Sequence, residues 1–254
     1  MVKVLVSGAL GRMGRTVISA VKNDSELELV GATDIFEGEV EGVKVETNLD
    51  AALKKYQPEV MVDFTRPDSV FKNVMTAIEN KVSPVVGTTG LTDDAKNKIR
   101  EAAEKFDTPV FIAPNFAIGA VLMMLLSQKV AKYMPDVEII ELHHDKKLDA
   151  PSGTAALTAK MISEVRPPHI QGHPDEKEVL EHVRGANVDG IRIHSVRLPG
   201  YVAHQEVIFG GLGQTLTIRH DSTGRDSFMP GVVLACKKVR SLKGLTVGLD
   251  KILD

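Results

Sequence analysis

Apolar positions in the first half of the chain fall into short unbroken runs, separated by stretches with helical spacing. Runs over 2–6, 27–33, 60–64, 84–86 and 109–113 predict strands buried on both faces, because a half-exposed strand would alternate apolar with polar positions. Helical spacing over 16–21, 69–80 and 93–106 predicts the elements between them. Thr92 is suited to cap the last of these, with Asp93 and Asp94 complementing its dipole. Strands alternating with helices predict an α/β fold built on a doubly wound parallel sheet.

After Pro114 the pattern changes. A helix is predicted over 117–134, a strand over 137–143, a Pro/Ser/Gly break over 149–153 and a helix over 154–165. A loop rich in proline and glycine follows over 166–175, then strands over 191–197, 204–209 and 214–220, neighbours that would pair antiparallel. A helix over 228–239 and a short strand over 245–249 then return to the first sheet. The expected organisation is a discontinuous first domain, 1–116 with 225–254, carrying an inserted α+β domain over 117–224.

Composition narrows the function. Lys and Arg total 31 against 34 Asp and Glu, for a net charge of −3, so no basic excess points to a nucleic acid. Aromatics are 4% of the residues and Trp is absent, which leaves few stacking platforms for bases or sugars. The apolar stretch 117–126 runs straight into Ser127, Gln128 and Lys129, well short of the roughly 20 residues that span a bilayer. No membrane segment is expected, and the apolar run before the first glycines is too short for a signal peptide. The single cysteine, Cys236, has no internal partner for a disulfide, and the expected compartment is the reducing cytoplasm.

Candidate chemistry begins between the first strand and first helix, where Gly8, Gly11 and Gly14 stand at G-x-x-G-x-x-G spacing. A helix start offers free N–H groups and a positive dipole end to a pyrophosphate. A tight strand-to-helix turn alone would also explain the glycines. Asp34, about 20 residues on at the end of the second strand, favours the dinucleotide, since a carboxylate there accepts from ribose hydroxyls. Ile35 and Phe36 follow it, with no cation for a 2′-phosphate, which favours NADH; Arg12 or a nearby lysine leaves NADPH open. Gly87-Thr88-Thr89-Gly90 and Ala113-Pro114-Asn115-Phe116 end further strands of the same sheet and suit a nicotinamide ring, although ordinary turns would look alike. Asp63-Phe64-Thr65-Arg66-Pro67 is a third such strand end, read only as a wall of the site.

A second concentration lies at Glu141-Leu142-His143-His144-Asp145-Lys146-Lys147, continuing to Asp149-Ala150-Pro151-Ser152-Gly153-Thr154. Imidazoles and ammonium groups lie here beside a Ser-Gly-Thr helix start, so proton donors meet an anion-binding terminus, as a small carboxylate substrate requires. On an extended backbone His143 and His144 point to opposite sides and should differ in role. The bland alternative is one structural histidine, one exposed histidine and a solvated lysine turn. His169 and His173 lie four apart, but with one cysteine and no HExxH pattern no metal site is expected.

Together these segments resemble the 4-hydroxy-tetrahydrodipicolinate (dihydrodipicolinate) reductase family of the diaminopimelate route to lysine. The resemblance spans nearly the whole chain. It rests on Gly8-Ala9-Leu10-Gly11-Arg12-Met13-Gly14, on Gly87 to Gly90, on Ala113 to Phe116, and above all on His143-His144 with Lys147 to Thr154. It implies a Rossmann-like nucleotide domain, and a substrate domain whose sheet also forms a homotetramer. It implies reduction of 4-hydroxy-tetrahydrodipicolinate, with loss of water, by hydride from NADH or NADPH. By the same resemblance His143 is the proton donor/acceptor and Lys147 the catalytic lysine, and His144, Gly153 and Thr154 bind substrate. The nucleotide falls to Gly8, Ala9, Leu10, Gly11, Arg12, Met13, Asp34, Gly87, Thr88, Thr89, Ala113, Pro114, Asn115 and Phe116. Family members that accept NADPH often carry an arginine after the acid, a pattern from which Ile35 departs. Another Rossmann oxidoreductase, or a nucleotide sensor without turnover, are the competing readings.

Overall fold

A computed structural model describes residues 1–253 of the chain. The chain divides into two compact units, residues 1–118 with 225–254 and residues 119–224.

The first unit opens with β1 (Val2–Ser7), α1 (Arg12–Asn23) and β2 (Leu27–Thr33). Next come β3 (Gly38–Val40), β4 (Val43–Glu46), α2 (Leu49–Tyr56), β5 (Val60–Asp63), α3 (Val70–Glu79), β6 (Ser83–Val86), α4 (Asp93–Lys105) and β7 (Val110–Ile112). In the second unit lie α5 (Ile118–Ala131, begun one residue earlier), β8 (Asp136–His143), α6 (Gly153–Ser163), β9 (Ala186–Val188), β10 (Ile191–Arg197), β11 (Ala203–Gly211) and β12 (Gln214–Ser222). The chain returns to the first unit through α7 (Met229–Lys238) and β13 (Leu245–Val247).

The first sheet has eight strands in the order β13-β7-β6-β5-β1-β2-β4-β3, parallel throughout except for the edge pair β3–β4. Its central strands are buried on both faces, which is why they read as continuous apolar runs. The strand order reverses at β1, with β2 on one side and β5 on the other, the point at which an open α/β sheet forms its ligand crevice. The doubly wound parallel sheet expected from the pattern is therefore present. The hairpin β3–β4 and the helix α2 were not expected. The hairpin turns at Glu41-Gly42, both at positive φ (48° and 79°), so a glutamate occupies a position that usually signals itself with Asn, Asp or Gly.

The second sheet runs β12-β11-β8-β10-β9. β11 pairs antiparallel with β12, as expected, but not with β10: β8 lies between them, antiparallel to β11 and parallel to β10. Between β8 and β10 in the chain, α6 forms the crossover that a parallel pair requires. Val137, Ile139, Ile193, Val207 and Phe209 of the sheet are buried, as are Ala155, Ala159 and Ile162 of α6, which packs on β8 and β10. Among the described residues no helix is long and apolar enough to cross a membrane.

Candidate active site

In the first unit every candidate loop follows a parallel strand, so all emerge at one edge of the sheet. Gly8, directly after β1, has φ +84°, and a Cβ there would lie 2.3 Å from the Phe64 carbonyl oxygen. A Cβ on Gly14 would lie 2.0 Å from the Gly8 carbonyl oxygen. The turn is thus bare backbone packed on backbone, pinned by N–H groups of Gly8 and Ala9 donating to the Thr33 carbonyl (2.9 and 3.0 Å). No side chain caps α1 at Gly11, leaving the first N–H groups of the helix, on Arg12 and Met13, without an intrahelical acceptor.

Asp34 is stitched to the same turn: its Oδ2 accepts from Leu10 N (2.8 Å) and its Oδ1 from Ile35 N (2.7 Å). Each oxygen keeps a further lone pair. A cradle that a single methyl would fill, an uncapped helix start and a fixed carboxylate fit a dinucleotide's pyrophosphate and ribose. Ile35 and Phe36 beside that acid are exposed.

Two more strand ends are tied together by Asp63, a carboxylate with no solvent exposure at the end of β5. It accepts from Thr88 Oγ1 (2.6 Å), Thr65 Oγ1 (2.8 Å), Asn73 Nδ2 (2.9 Å) and Thr65 N (3.2 Å). Burial pushes its carboxyl above the ordinary range, against the pull of those donors. Gly87 lies against the Phe64 ring, where a Cβ would come within 2.1 Å, and Phe64 meets Phe116 at 5.8 Å between centroids. Thr88 and Phe116 are buried, whereas Thr89 and Pro114 are exposed. Asn115 accepts from Ala117 N (2.9 Å), which shapes the turn after β7.

In the second unit the site grows from β8. Val137, Ile139 and Glu141 alternate onto the face covered by α6, so a carboxylate ends an apolar row with no exposure of its own. His143 follows on the same face and its Nδ1 is hydrogen-bonded to Glu141 Oε2. Arg197, paired with His143 in the β8–β10 register, grips both oxygens of Glu141 (3.0 and 2.7 Å) and the carbonyl of Asp149 (2.7 Å). Burial alone would raise the Glu141 carboxyl, but hydrogen bonds from His143, Arg197 and Ser195 outweigh it and hold it down to about 2.

Lys147 lies beyond the strand with its Nζ on both oxygens of Asp149 (2.7 and 2.9 Å). That ammonium holds the Asp149 carboxyl below its ordinary value. Ser152 caps α6 by accepting from Ala155 N (3.2 Å), and its own N–H donates to Glu141 (3.3 Å), which ties the helix start to the strand. Gly153 is exposed with nothing within 4 Å of a would-be Cβ, and Thr154 follows it in the first turn. His144 is exposed, its carbonyl accepting from Lys147 N (3.2 Å). A concavity lined by Asp136, Glu138, Ile140 and Ile208 lies on the opposite face of this sheet, because residues 138 and 140 alternate with 139 and 141.

Sequence reasoning left Glu141 and Asp149 without roles, although their spacing of two from His143 and Lys147 was the available signal. Arg197, 56 residues from Glu141, left no local signal.

Comparison with known proteins matches residues 2–116 to the N-terminal and residues 119–253 to the C-terminal model of dihydrodipicolinate reductase. A 4-hydroxy-tetrahydrodipicolinate reductase of Desulfitobacterium hafniense is 52% identical over 264 aligned positions, covering 100% of this chain and 99% of that protein. The solved structure of dipicolinate-bound dihydrodipicolinate reductase from Paenisporosarcina sp. TG-14 superposes with a TM-score of 0.93 at 48% identity, covering 100% of both chains. An amine dehydrogenase of Mycobacterium smegmatis, at 12% identity, 98% and 95% coverage and TM-score 0.65, shares the fold alone.

Proposed function

That the chain belongs to the dihydrodipicolinate reductase family is the premise from which we propose how its residues divide the work. The protein is a pyridine-nucleotide-dependent oxidoreductase that reduces 4-hydroxy-tetrahydrodipicolinate to tetrahydrodipicolinate, with loss of water, on the diaminopimelate route to lysine.

The first unit holds the nucleotide. Gly8 to Met13 take the pyrophosphate on backbone N–H groups, and Asp34 takes the adenosine ribose. Gly87 to Thr89 and Ala113 to Phe116 take the nicotinamide end. When bound, the reduced nicotinamide supplies a hydride to the substrate's ring carbon. With Asp34 followed by exposed Ile35, a 2′-phosphate would meet a carboxylate with no cation next to it in the chain, so the preferred donor is NADH.

The second unit holds the substrate and handles the proton. Gly153 and Thr154, at the N-terminus of α6, bind one carboxylate through backbone N–H groups and the threonine hydroxyl, and His144 binds the dicarboxylate from the loop. Lys147 supplies positive charge where electron density develops on the conjugated imine, and His143 delivers a proton from Nε2. The protein works in the cytoplasm as a homotetramer assembled through the second sheet, whose uncovered face carries Ile140 and Ile208 half-buried.

The observation that carries this reading is that His143 and the capped start of α6 both bond the buried Glu141, while Arg197 joins it to Asp149, whose side chain holds Lys147. The test is nicotinamide absorbance in a coupled assay, with substrate made in situ from pyruvate and aspartate semialdehyde by the upstream synthase. NADH and NADPH are run in parallel. Oxidation that needs every component, faster with NADH, is the expected result. Nucleotide binding without oxidation would refute it, and a faster rate with NADPH would refute the preference.

A further inference from the structure

Glu141 is a poor residue to bury unless something requires it. It occupies a position where Val137 and Ile139 set an apolar row, and it has no solvent exposure. An ionised carboxylate there carries a desolvation cost that only strong partners offset. Those partners come from three elements: the guanidinium of Arg197 with two N–H groups and the Ser195 side chain on β10, the N–H of Ser152 at the start of α6, and Nδ1 of His143 on its own strand.

The arrangement has a directional consequence for the imidazole. A carboxylate held ionised only accepts, so the ring nitrogen facing it must carry the proton. Nδ1 is therefore the N–H nitrogen of the neutral ring, and Nε2 is left with its lone pair pointing away from Glu141. Among the described residues no hydrogen bond to Nε2 is formed. Arg197 fixes the carboxylate in turn, gripping both of its oxygens and anchoring on the Asp149 carbonyl, the residue whose side chain holds Lys147.

We propose that Glu141, clamped by Arg197, is the positioning residue that sets the tautomer and orientation of His143 so that Nε2 takes up and delivers the proton. The proposal rests on the reading of His143 as proton donor and adds what makes that ring competent. A negative charge at Nδ1 stabilises the imidazolium that must form before a proton is given, as a buried carboxylate does behind other catalytic histidines.

The substitution Glu141→Gln separates charge from shape. Arg197 still demands an acceptor, so the amide turns its oxygen to the guanidinium and its NH2 toward His143. An NH2 group at Nδ1 needs a lone pair there, which drives the neutral ring to the Nε2–H tautomer and opposes the imidazolium, whose two nitrogens both donate. Long-range 1H–15N correlation spectra of the ring, assigned with His143→Gln and recorded without substrate or nucleotide, read this directly. The wild-type protein should show Nδ1–H and Glu141→Gln should show Nε2–H. In the coupled assay Glu141→Gln should lose roughly 100-fold in kcat with KM within about twofold of wild type.

An Nε2–H ring in the wild-type protein would overturn the proposal, and this measurement does not depend on Glu141→Gln folding. A folded Glu141→Gln protein with an unchanged ring spectrum would overturn it while leaving the role of His143 intact. Undiminished turnover in His143→Gln would instead remove the reading on which it rests.

Discussion

Single residues carry the site's chemistry through what their neighbours forbid or supply. Gly14 has no room for a methyl group, since the Gly8 carbonyl oxygen would lie 2.0 Å from it. Gly14→Ala must push the turn apart, and NADH affinity measured by fluorescence titration should fall at least about tenfold, or about 1.4 kcal/mol. An unchanged Kd would remove the glycine turn from the nucleotide site. Lys147 is proposed to face the charge that develops during reduction, so Lys147→Ala should lower kcat by roughly 10²- to 10³-fold. Thr154 is assigned to the bound carboxylate, so Thr154→Ala should raise the substrate KM by roughly tenfold with little change in kcat. Steady-state kinetics distinguish the two, and a reversed pattern would exchange their roles. The histidines, the lysine and the glycines were legible because their types and spacing are chemical signals in themselves. Arg197 was not, since nothing in a strand-ending arginine announces a carboxylate 56 residues away.

Elements decide which of these residues meet. β8 places Glu141 and His143 on one face by its period of two, and the loop back to α6 returns Ser152 to the end of that strand. Ser152 holds the helix start with its side chain and the strand with its N–H. Ser152→Ala keeps the second bond and loses the first, so thermal or urea unfolding should show a loss of about 1 kcal/mol, with weaker substrate binding because the helix start frays. No loss of stability would mean that another group caps the helix. At this scale periodicity gave the central strands and long helices directly, because burial on both faces leaves an unmistakable run. It missed β3 and β4, where charged residues alternate at an exposed edge and the turn is Glu41-Gly42. It also took β10 and β11 for neighbours in the sheet, whereas β8 lies between them, since one sequence shows strands but not which earlier strand is inserted between two that follow each other.

At the scale of the whole molecule, acid stability and assembly are the measurable consequences. Glu141 has a carboxyl held down to about 2 from an ordinary value of 4.5, and Glu138 on the other face of β8 is also lowered, its burial outweighed by Arg184 and His194. Groups depressed on folding stabilise fully above their unfolded value, and that stabilisation is lost as pH falls from about 4.5 toward 2, a term on the order of 3 kcal/mol for Glu141. Urea unfolding should therefore show stability falling steeply as pH drops below about 4.5, with a shallower slope in Glu141→Gln; equal slopes would refute the linkage. Light scattering should give four times the mass of one chain, and a monomer would refute assembly through the second sheet. The sequence by itself determined the doubly wound sheet, the glycine turn with its acid, and the cluster of histidines and lysines that follows Glu141. These depend on local periodicity and on chemistry confined to a few adjacent positions. Only the tertiary structure decided that β8 and β10 run parallel around α6, that Asp63 binds Thr65 to Thr88, and that Arg197 clamps the glutamate behind His143. Those contacts join residues far apart in the chain, and they are selected by burial, where an unpaired charge is too costly to leave without its partner.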